Sequence, residues 1–445
     1  MTAPAAPTED LTLDACAALR ADLAAQHVAS GSPAGAAAPL GAEAGDGGTA
    51  SGDAAVAAAA WLPLVTSLER AAQVPARARA AHFRRARPLW DDAATTLGEP
   101  RYADVGTRLA RWRSADPTLP LVRHVLWALE QPEAAGYTRL ALAGYAALGW
   151  LVPVDDVRRG YVLAQSARAL RTLGDLDGAR ERYEYGRRLG TRHRDSWLRT
   201  RSALGLGAVY GQLGNYPDAR AVLSGVLRSG VADPRLTAAA HHGLVLGAIA
   251  AEDWDTALAH GWHLLRAGRR GIVPRADVLL LMAGVCRRTG RYRAALSAAR
   301  TALHHCTLPE DPMIAHKIMA DVALDTGDRP LGVEHATALR QLLHTGAGPY
   351  EDAKALFTLG LVEERWGSRR RALADMEAAQ TLASTHQYHE LAYKLDAALE
   401  RVRRPALTQP ATPARPDVPL SAGSQRVVES ILSLGREERE LAVAG

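Results

Sequence analysis

Four residue types are nearly missing from this chain of 445 residues: two Phe, three Cys, three Lys and a single Asn, Asn215. Phe83 and Phe357 alone cannot build the aromatic and β-branched runs of a β-sandwich, whereas abundant alanine suits close packing of helix on helix. The cysteines, Cys16, Cys286 and Cys306, form no disulfide framework. On a helical-hairpin reading, Cys286 and Cys306 are displaced by roughly 16 Å along the helix axes, too far to bridge. No oxidising compartment is indicated. Long hydrophobic runs are missing too. The longest, Leu140 to Val154, has 15 residues and contains Pro153, too short to cross a bilayer. Met1 to Asp10 has neither a positive n-region nor an apolar h-region, so no signal peptide is expected and the chain is read as cytoplasmic. Three Lys (Lys317, Lys354, Lys394) among 53 basic residues leave 50 Arg, a bias that reflects a GC-rich coding sequence better than selection for a ligand. The net charge of +5 permits nucleic-acid binding without demanding it.

What is present is a repeat. In Leu206 to Val226 one helix carries Leu206, Gly207 and Tyr210 on one face, Gly214-Asn215 stops it, and Pro217 opens a second with Ala219, Leu223 and Val226. Gly207 and Ala219 are small where the two helices cross; a bulkier residue there is expected to cost roughly 1–3 kcal/mol. The pattern recurs. Gly174-x-Leu176-x-x-Ala179, Gly214-x-Tyr216-x-x-Ala219, Glu252-x-Trp254-x-x-Ala257, Gly290-x-Tyr292-x-x-Ala295, Gly327-x-Arg329-x-x-Gly332 and Gly367-x-Arg369-x-x-Ala372 follow at intervals of 40, 38, 38, 37 and 40 residues. Twelve residues before each final small residue stand Ala167, Gly207, Val245, Ala283, Ala320 and Gly360.

These residues resemble the tetratricopeptide repeat (TPR). The interval exceeds that family's usual 34 and is similar to the lengthened repeats in sensor regions of some bacterial transcription regulators. The resemblance implies an all-α, right-handed superhelix of stacked antiparallel helix pairs whose first helices line an inner groove. By the family's groove positions, that surface holds Tyr161, Arg168, Arg171, Arg201, Gln212, His242, Asp277, Arg287, Arg288, Lys317, Asp321, Asp325, Lys354, Phe357, Glu364 and Arg365. The basic and polar members, Tyr161, Arg168, Arg171, Arg201, Gln212, His242, Arg287, Arg288, Lys317 and Lys354, are the candidate partner-binding residues. Acids enter this set only from Asp277 onward, so the groove is expected to grade from basic to mixed and to suit a peptide or helix with an acidic segment. The family's carboxylate clamp uses paired asparagines, and a chain with one Asn lacks it.

Five segments follow. Residues 1–52 are read as mostly disordered, with a possible helix over Leu11 to Val28 and a Gly/Ala/Ser-rich linker from Ala29. Residues 53–156 are helical. Gly98…Ala103 and Gly136…Ala141 continue the register backwards, but Asp91 and Leu129 are not small and Pro132 falls where a first helix should still run. This region is either two degenerate repeats, the reading favoured, or a separate helical cap. Residues 157–404 hold six clear repeats and a capping helix over His389 to Arg403, with Leu391, Leu395, Ala398 and Leu399 inward. Residues 405–421 form a Pro-rich linker, and 422–445 an amphipathic helix with Val427, Val428, Ile431, Leu432 and Leu434 on one side. That helix folds back on its own solenoid, binds a partner, or stays a loosely ordered tail.

No nucleophile elbow, Walker loop or glycine-rich phosphate motif stands in a strand–turn–helix context, so no catalysis and no cofactor are expected. His304-His305-Cys306, His241-His242 and His260-x-x-His263 lack a third ligand in register and are read as structural, not as metal sites. Arg187-Arg188, Arg269-Arg270 and Arg287-Arg288 sit near helix C-termini, where cations are favoured by the helix dipole. Trp61, Trp90, Trp112, Trp127 and Trp150 are read as core volume. The expected function is a non-catalytic scaffold binding a protein or peptide, without a membrane and with nucleic acid disfavoured. The alternative is the sensing module of a bacterial regulatory system acting through a partner.

Overall fold

A computed structural model describes residues 49–112, 116–134, 137–308, 310–344, 348–385, 388–404 and 418–444. Cys16, the expected helix over Leu11 to Val28, most of the N-terminal linker and residues 405–417 lie outside them. The described residues contain nineteen helices and no strand. They form two compact units, Met1–Val231 and Ala232–Gly445.

In the first unit α1 (Thr49–Gln73) precedes four hairpins: α2 (Ala76–Thr96) with α3 (Arg101–Ala110), α4 (Leu119–Ala134) with α5 (Thr138–Trp150), α6 (Val157–Thr172) with α7 (Leu176–Arg192), and α8 (Ser196–Gln212) with α9 (Tyr216–Arg228). The second unit stacks α10 (Pro234–Ala250) with α11 (Trp254–Arg269), α12 (Arg275–Arg288) with α13 (Tyr292–Leu303), α14 (Glu310–Thr326) with α15 (Arg329–Leu342), and α16 (Pro349–Trp366) with α17 (Arg369–Thr385). There α18 (His389–Arg403) follows the last hairpin, and α19 (Ala422–Ala444) ends the chain. Each unit is thus an all-α, TPR-like stack of antiparallel helix pairs.

The same local chemistry recurs in several of the hairpins. A residue with positive φ ends the first helix: Gly214 has φ 73°, and Glu252, with no glycine available, takes φ 54°. A capping side chain then starts the second helix. Asp175, Asn215, Asp253 and Asp328 accept the N–H groups of Gly178, Asp218, Thr256 and Leu331. The chain's one asparagine is therefore a helix cap. Close approach sets the remaining constraint. A Cβ at Gly207 would lie 2.6 Å from Leu223 Cδ2, so the residue it faces is Leu223, one turn beyond Ala219. At Gly190 it would lie 2.6 Å from the backbone nitrogen of Arg199, which fixes how closely α7 and α8 meet.

Pro132 does not interrupt α4, contrary to expectation, because the carbonyl it leaves without a helical partner finds another donor. The Tyr102 hydroxyl donates to Ala128 O at 3.4 Å and accepts from Trp61 Nε1 at 2.8 Å. Trp61, Trp90 and Trp112 are buried in the core of the first unit and Trp127 packs partly against it, but Trp150, also expected inside, is 61% exposed at the end of α5. In the second unit one core runs through α10–α14 and a second through α14–α18, where Leu391, Leu395, Ala398 and Leu399 are all buried. The last helix, α19, joins the former core through Val427, Val428, Ile431 and Leu434.

Candidate functional site

Within each unit, successive first helices touch: α4 with α6, α6 with α8, α12 with α14, and α14 with α16. Second helices of successive hairpins make no comparable contact among the described residues. The first-helix side is therefore the inner side of each stack, and the candidate residues divide between two such faces.

On the inner face of the first unit Tyr161 is spoken for. Its hydroxyl donates to Asp195 Oδ2 at 2.8 Å and accepts from Arg123 Nη2 at 2.7 Å, and its ring stacks on Trp197 at 5.0 Å. One helical turn or more further along, Arg168 forms a bidentate pair with Glu133, both bonds 2.9 Å, and the Tyr145 hydroxyl donates to the same carboxylate at 2.7 Å. Against the burial that disfavours its charge, this pairing holds Arg168 protonated above the usual arginine range. Gln165 donates to Glu130, whose carboxyl burial pushes up. The expectation that acids enter the groove only from Asp277 onward is therefore wrong. Glu130 and Glu133, on α4, face Gln165 and Arg168 from 35 residues upstream. The register continued backward would have found them, had Pro132 not argued against a helix there.

Arg171 and Arg201 differ from Arg168. All three act on Tyr183, a buried tyrosine whose hydroxyl burial pushes above its usual range, but only Arg171 bonds it. The buried Nε of Arg171 has no hydrogen-bond partner. Arg201 is within electrostatic reach of Glu130 but forms no ion pair with a carboxylate among the described residues. Gln212, at the end of α8, is exposed.

The inner face of the second unit is largely self-paired. Arg287 bonds Asp321 at 3.1 Å and Asp325 at 2.8 Å, Lys317 bonds Asp321 at 2.9 Å, and Thr358 donates to its other oxygen at 3.3 Å. Burial opposes the charge on Asp321, yet Lys317 and Arg287 prevail and hold its carboxyl below the usual range. Lys354 bonds Glu351 at 2.6 Å over the ring of Tyr350, Arg401 grips Glu364, and Arg365 donates to Leu324 O at 3.0 Å. Arg288 sits over Trp254, with Glu252 at 3.8 Å, while His242 and Asp277 are exposed and Phe357 packs against the core.

Among the histidines the structure supplies a contact that sequence reasoning missed. His260 and His263, on one face of α11, converge on His241 of α10. His241 Nδ1 is 3.0 Å from His260 Nδ1, and its ring stacks on that of His263 at 4.3 Å. His316 and His335 repeat the pairing at 3.1 Å. Among the described residues no group of three or more His, Cys, Asp or Glu is arranged to hold a metal ion. Cys286 and Cys306 are free. Among the described residues no helix is long and apolar enough to cross a membrane.

No family model matches the chain, and no curated protein matches it in sequence. Among solved structures it is similar to the crystal structure of a Rap protein complexed with competence and sporulation factor. That match has a TM-score of 0.44 and 12% identity, and covers 79% of this chain and 98% of that one.

Proposed function

We propose that this chain is a non-catalytic interaction scaffold that binds a peptide or helix of a partner protein along the inner, first-helix face of its hairpin stacks. The observation that carries the reading is the contrast among three arginines on one surface. Arg168 has its carboxylate in Glu133, whereas Arg171 and Arg201 have none and flank a buried tyrosine. A guanidinium is a bidentate donor suited to a carboxylate. An acidic side chain of the partner, laid across α6 and α8, would complete the row. The self-paired residues of this face, Tyr161 and Arg168 among them, hold the repeats together and shape the surface, and Arg287, Lys317 and Lys354 do the same in the second unit.

The test follows from that division. Arg171→Glu with Arg201→Glu should abolish capture of the partner while leaving Arg168, and hence the fold, untouched. Arg171→Lys with Arg201→Lys should weaken it only partly. If the double Glu variant captures every partner as well as the natural chain does, the inner face of the first unit is not the binding surface. Retention on a polyanion that vanishes by about 200 mM salt would mark the arginines as no specific nucleic-acid site, since several phosphate contacts weaken steeply with salt.

A further inference from the structure

Charge is spread unevenly along this chain. Residues 1–48, outside the described ones, carry six acids, Glu9, Asp10, Asp14, Asp22, Glu43 and Asp46, against the single base Arg20. Residues 49–231 reverse the sign, with 26 Arg against 17 Asp and Glu, while 232–445 are nearly balanced at 26 bases and 25 acids. An acidic stretch thus leads directly into the basic unit.

The arginines of that unit are not equally receptive. Arg77, Arg84 and Arg85 stand exposed on α2, where water already solvates a guanidinium and an added carboxylate gains little. Arg171 and Arg201 are half-buried on the inner face. The Nε of Arg171 is shut from water and makes no hydrogen bond, and neither residue holds a carboxylate among the described residues. Of the acids nearby, Glu133 is taken by Arg168, and burial favours the neutral form of Glu130. A carboxylate brought to Arg171 and Arg201 therefore meets donors already stripped of water, where a charge-assisted hydrogen bond is strongest.

The acidic stretch enters the unit at the matching edge. α1 packs on α5, and its Trp61 ring meets Tyr137, at the turn between α4 and α5, at 5.7 Å. Ser67, further along α1, meets His82 in the middle of α2. α1 thus runs away from the edge that carries the hairpin turns, and its start at Thr49 lies at or beyond that edge. The next hairpin turns there at Gly174, three residues after Arg171. One hairpin step is about 8–10 Å. The stretch Ala29 to Gly48, twenty residues rich in Gly, Ala and Ser, has an r.m.s. span of about 22–27 Å as a linker of that composition.

We propose, on the reading of that face given above, that the stretch Glu9 to Asp22 is a built-in ligand of the first unit, its carboxylates occupying Arg171 and Arg201 until a partner displaces them. Tethering makes this stretch a competitor at millimolar effective concentration. The face is thereby self-inhibited, open to a ligand whose contacts extend beyond the two arginines and closed to weak acidic ones.

The probe is a fluorescent peptide of residues 8–24 of this chain, titrated into full-length protein and read by anisotropy. In the natural chain the tethered stretch competes with it. In a Glu9→Gln, Asp10→Asn, Asp14→Asn, Asp22→Asn chain that competition is gone, so the peptide should bind at least about tenfold more tightly. Adding Arg171→Glu with Arg201→Glu should remove the binding. Arg171→Gln with Arg201→Gln should do the same, and serves as the readout if the Glu variant falls short of the natural helix content by circular dichroism. Equal affinity for the natural and neutralised chains, or no binding to the neutralised one, would overturn the proposal. So would binding that survives the arginine changes, because the stretch would then sit elsewhere, as on α2. Partner capture reports separately. If it still depends on Arg171 and Arg201 while the peptide results fail, the binding face stands and its self-inhibition falls; if it ignores them while the peptide results hold, the built-in ligand stands and the partner reading falls.

Discussion

Tyr102→Phe isolates the device that lets a proline sit inside α4. The ring is 1% exposed and keeps its packing, so only the hydroxyl is lost. Two groups lose their partner: the Trp61 indole N–H, bonded at 2.8 Å, and Ala128 O, bonded at 3.4 Å. A buried donor without an acceptor costs about 1–3 kcal/mol. The longer bond to Ala128 is worth less, about 0.5–1 kcal/mol. The sum, roughly 1.5–4 kcal/mol, should lower the unfolding midpoint of the first unit by roughly 3–16 °C if it melts as a domain of about 200 residues. The share of Ala128 can be separated. Pro132→Ala gives α4 back the N–H that bonds Ala128 O in an ordinary helix. In that background Tyr102→Phe should cost about 0.5–1 kcal/mol less, read as the coupling in a double-mutant cycle. Hydrogen exchange resolved by peptide follows α3 and α4 apart from the second unit. An equal cost in both backgrounds would refute the role given to the hydroxyl at Ala128. A cost below about 0.5 kcal/mol in the natural background would refute the whole account.

Three further outcomes are expected. Arg168→Met strands the Glu133 carboxylate, whose side chain is 8% exposed, and should cost about 2–4 kcal/mol. Adding Glu133→Gln removes the stranded charge while still accepting from Tyr145, so urea midpoints should recover at least half of the loss. Burial, with the neighbouring histidines, brings His241 down to about 4, and burial lowers His260, His316 and His335 as well. Their folded-state values lie below the unfolded ones, so the unfolded chain binds more protons, and stability present above about pH 6.5 is lost as pH falls toward 4. Melting of the second unit should drop across that window, and less steeply in a His241→Gln, His335→Gln variant. Glu252→Gly relieves a non-glycine residue held at φ 54° and should raise stability by about 0.5–1 kcal/mol, against at most a weak loss from its exposed contact with Arg288. An unchanged or lowered melting temperature would contradict this.

The hairpins were legible because the residues that make them act locally. A turn residue, a capping side chain and a small residue at the crossing recur whatever the neighbours do, so Gly214, Asn215 and Ala219 announce a hairpin by themselves. What escaped depended on distance. Pro132 reads as a helix breaker until Tyr102, 30 residues earlier in the chain, is known to stand beside Ala128. Trp150 reads as core because tryptophan usually is. The apolar stripe of α19 was visible, but its seat was not, since Asp255, Thr289 and Ser297 gain that meaning only once α19 is set against α11 and α13. The candidate residues lie on α6, α8, α10, α12, α14 and α16, and the contacts of those on α6 were misjudged because Glu130 and Glu133 lie in the stretch where the repeat signature fades.

That misjudgement points to a better rule for reading such faces. In a stack of hairpins, a polar side chain on a first helix meets its counterpart about one repeat away along the chain: Glu133 with Arg168 and Glu130 with Gln165 at 35, Arg287 with Asp321 at 34, Glu364 with Arg401 at 37, Arg123 with Tyr161 at 38. The desolvation cost of a half-buried charge without such a counterpart is offset only within its own helix, as Asp321 does for Lys317, or from further off, as Glu130 does for Arg201. For each groove arginine the question is therefore whether an acid stands 33–38 residues before or after it. Arg168 and Arg287 pass. Around Arg201 the two windows, 163–168 and 234–239, contain no acid, and around Arg171 they contain only Glu133, which Arg168 already holds. The two arginines that the spacing leaves unmatched, Arg171 and Arg201, hold no carboxylate among the described residues; Arg365, with Asp328 and Glu400 at that spacing, is bonded instead to Leu324 O. On the function proposed above, the carboxylates that Arg171 and Arg201 lack are those a bound partner would supply.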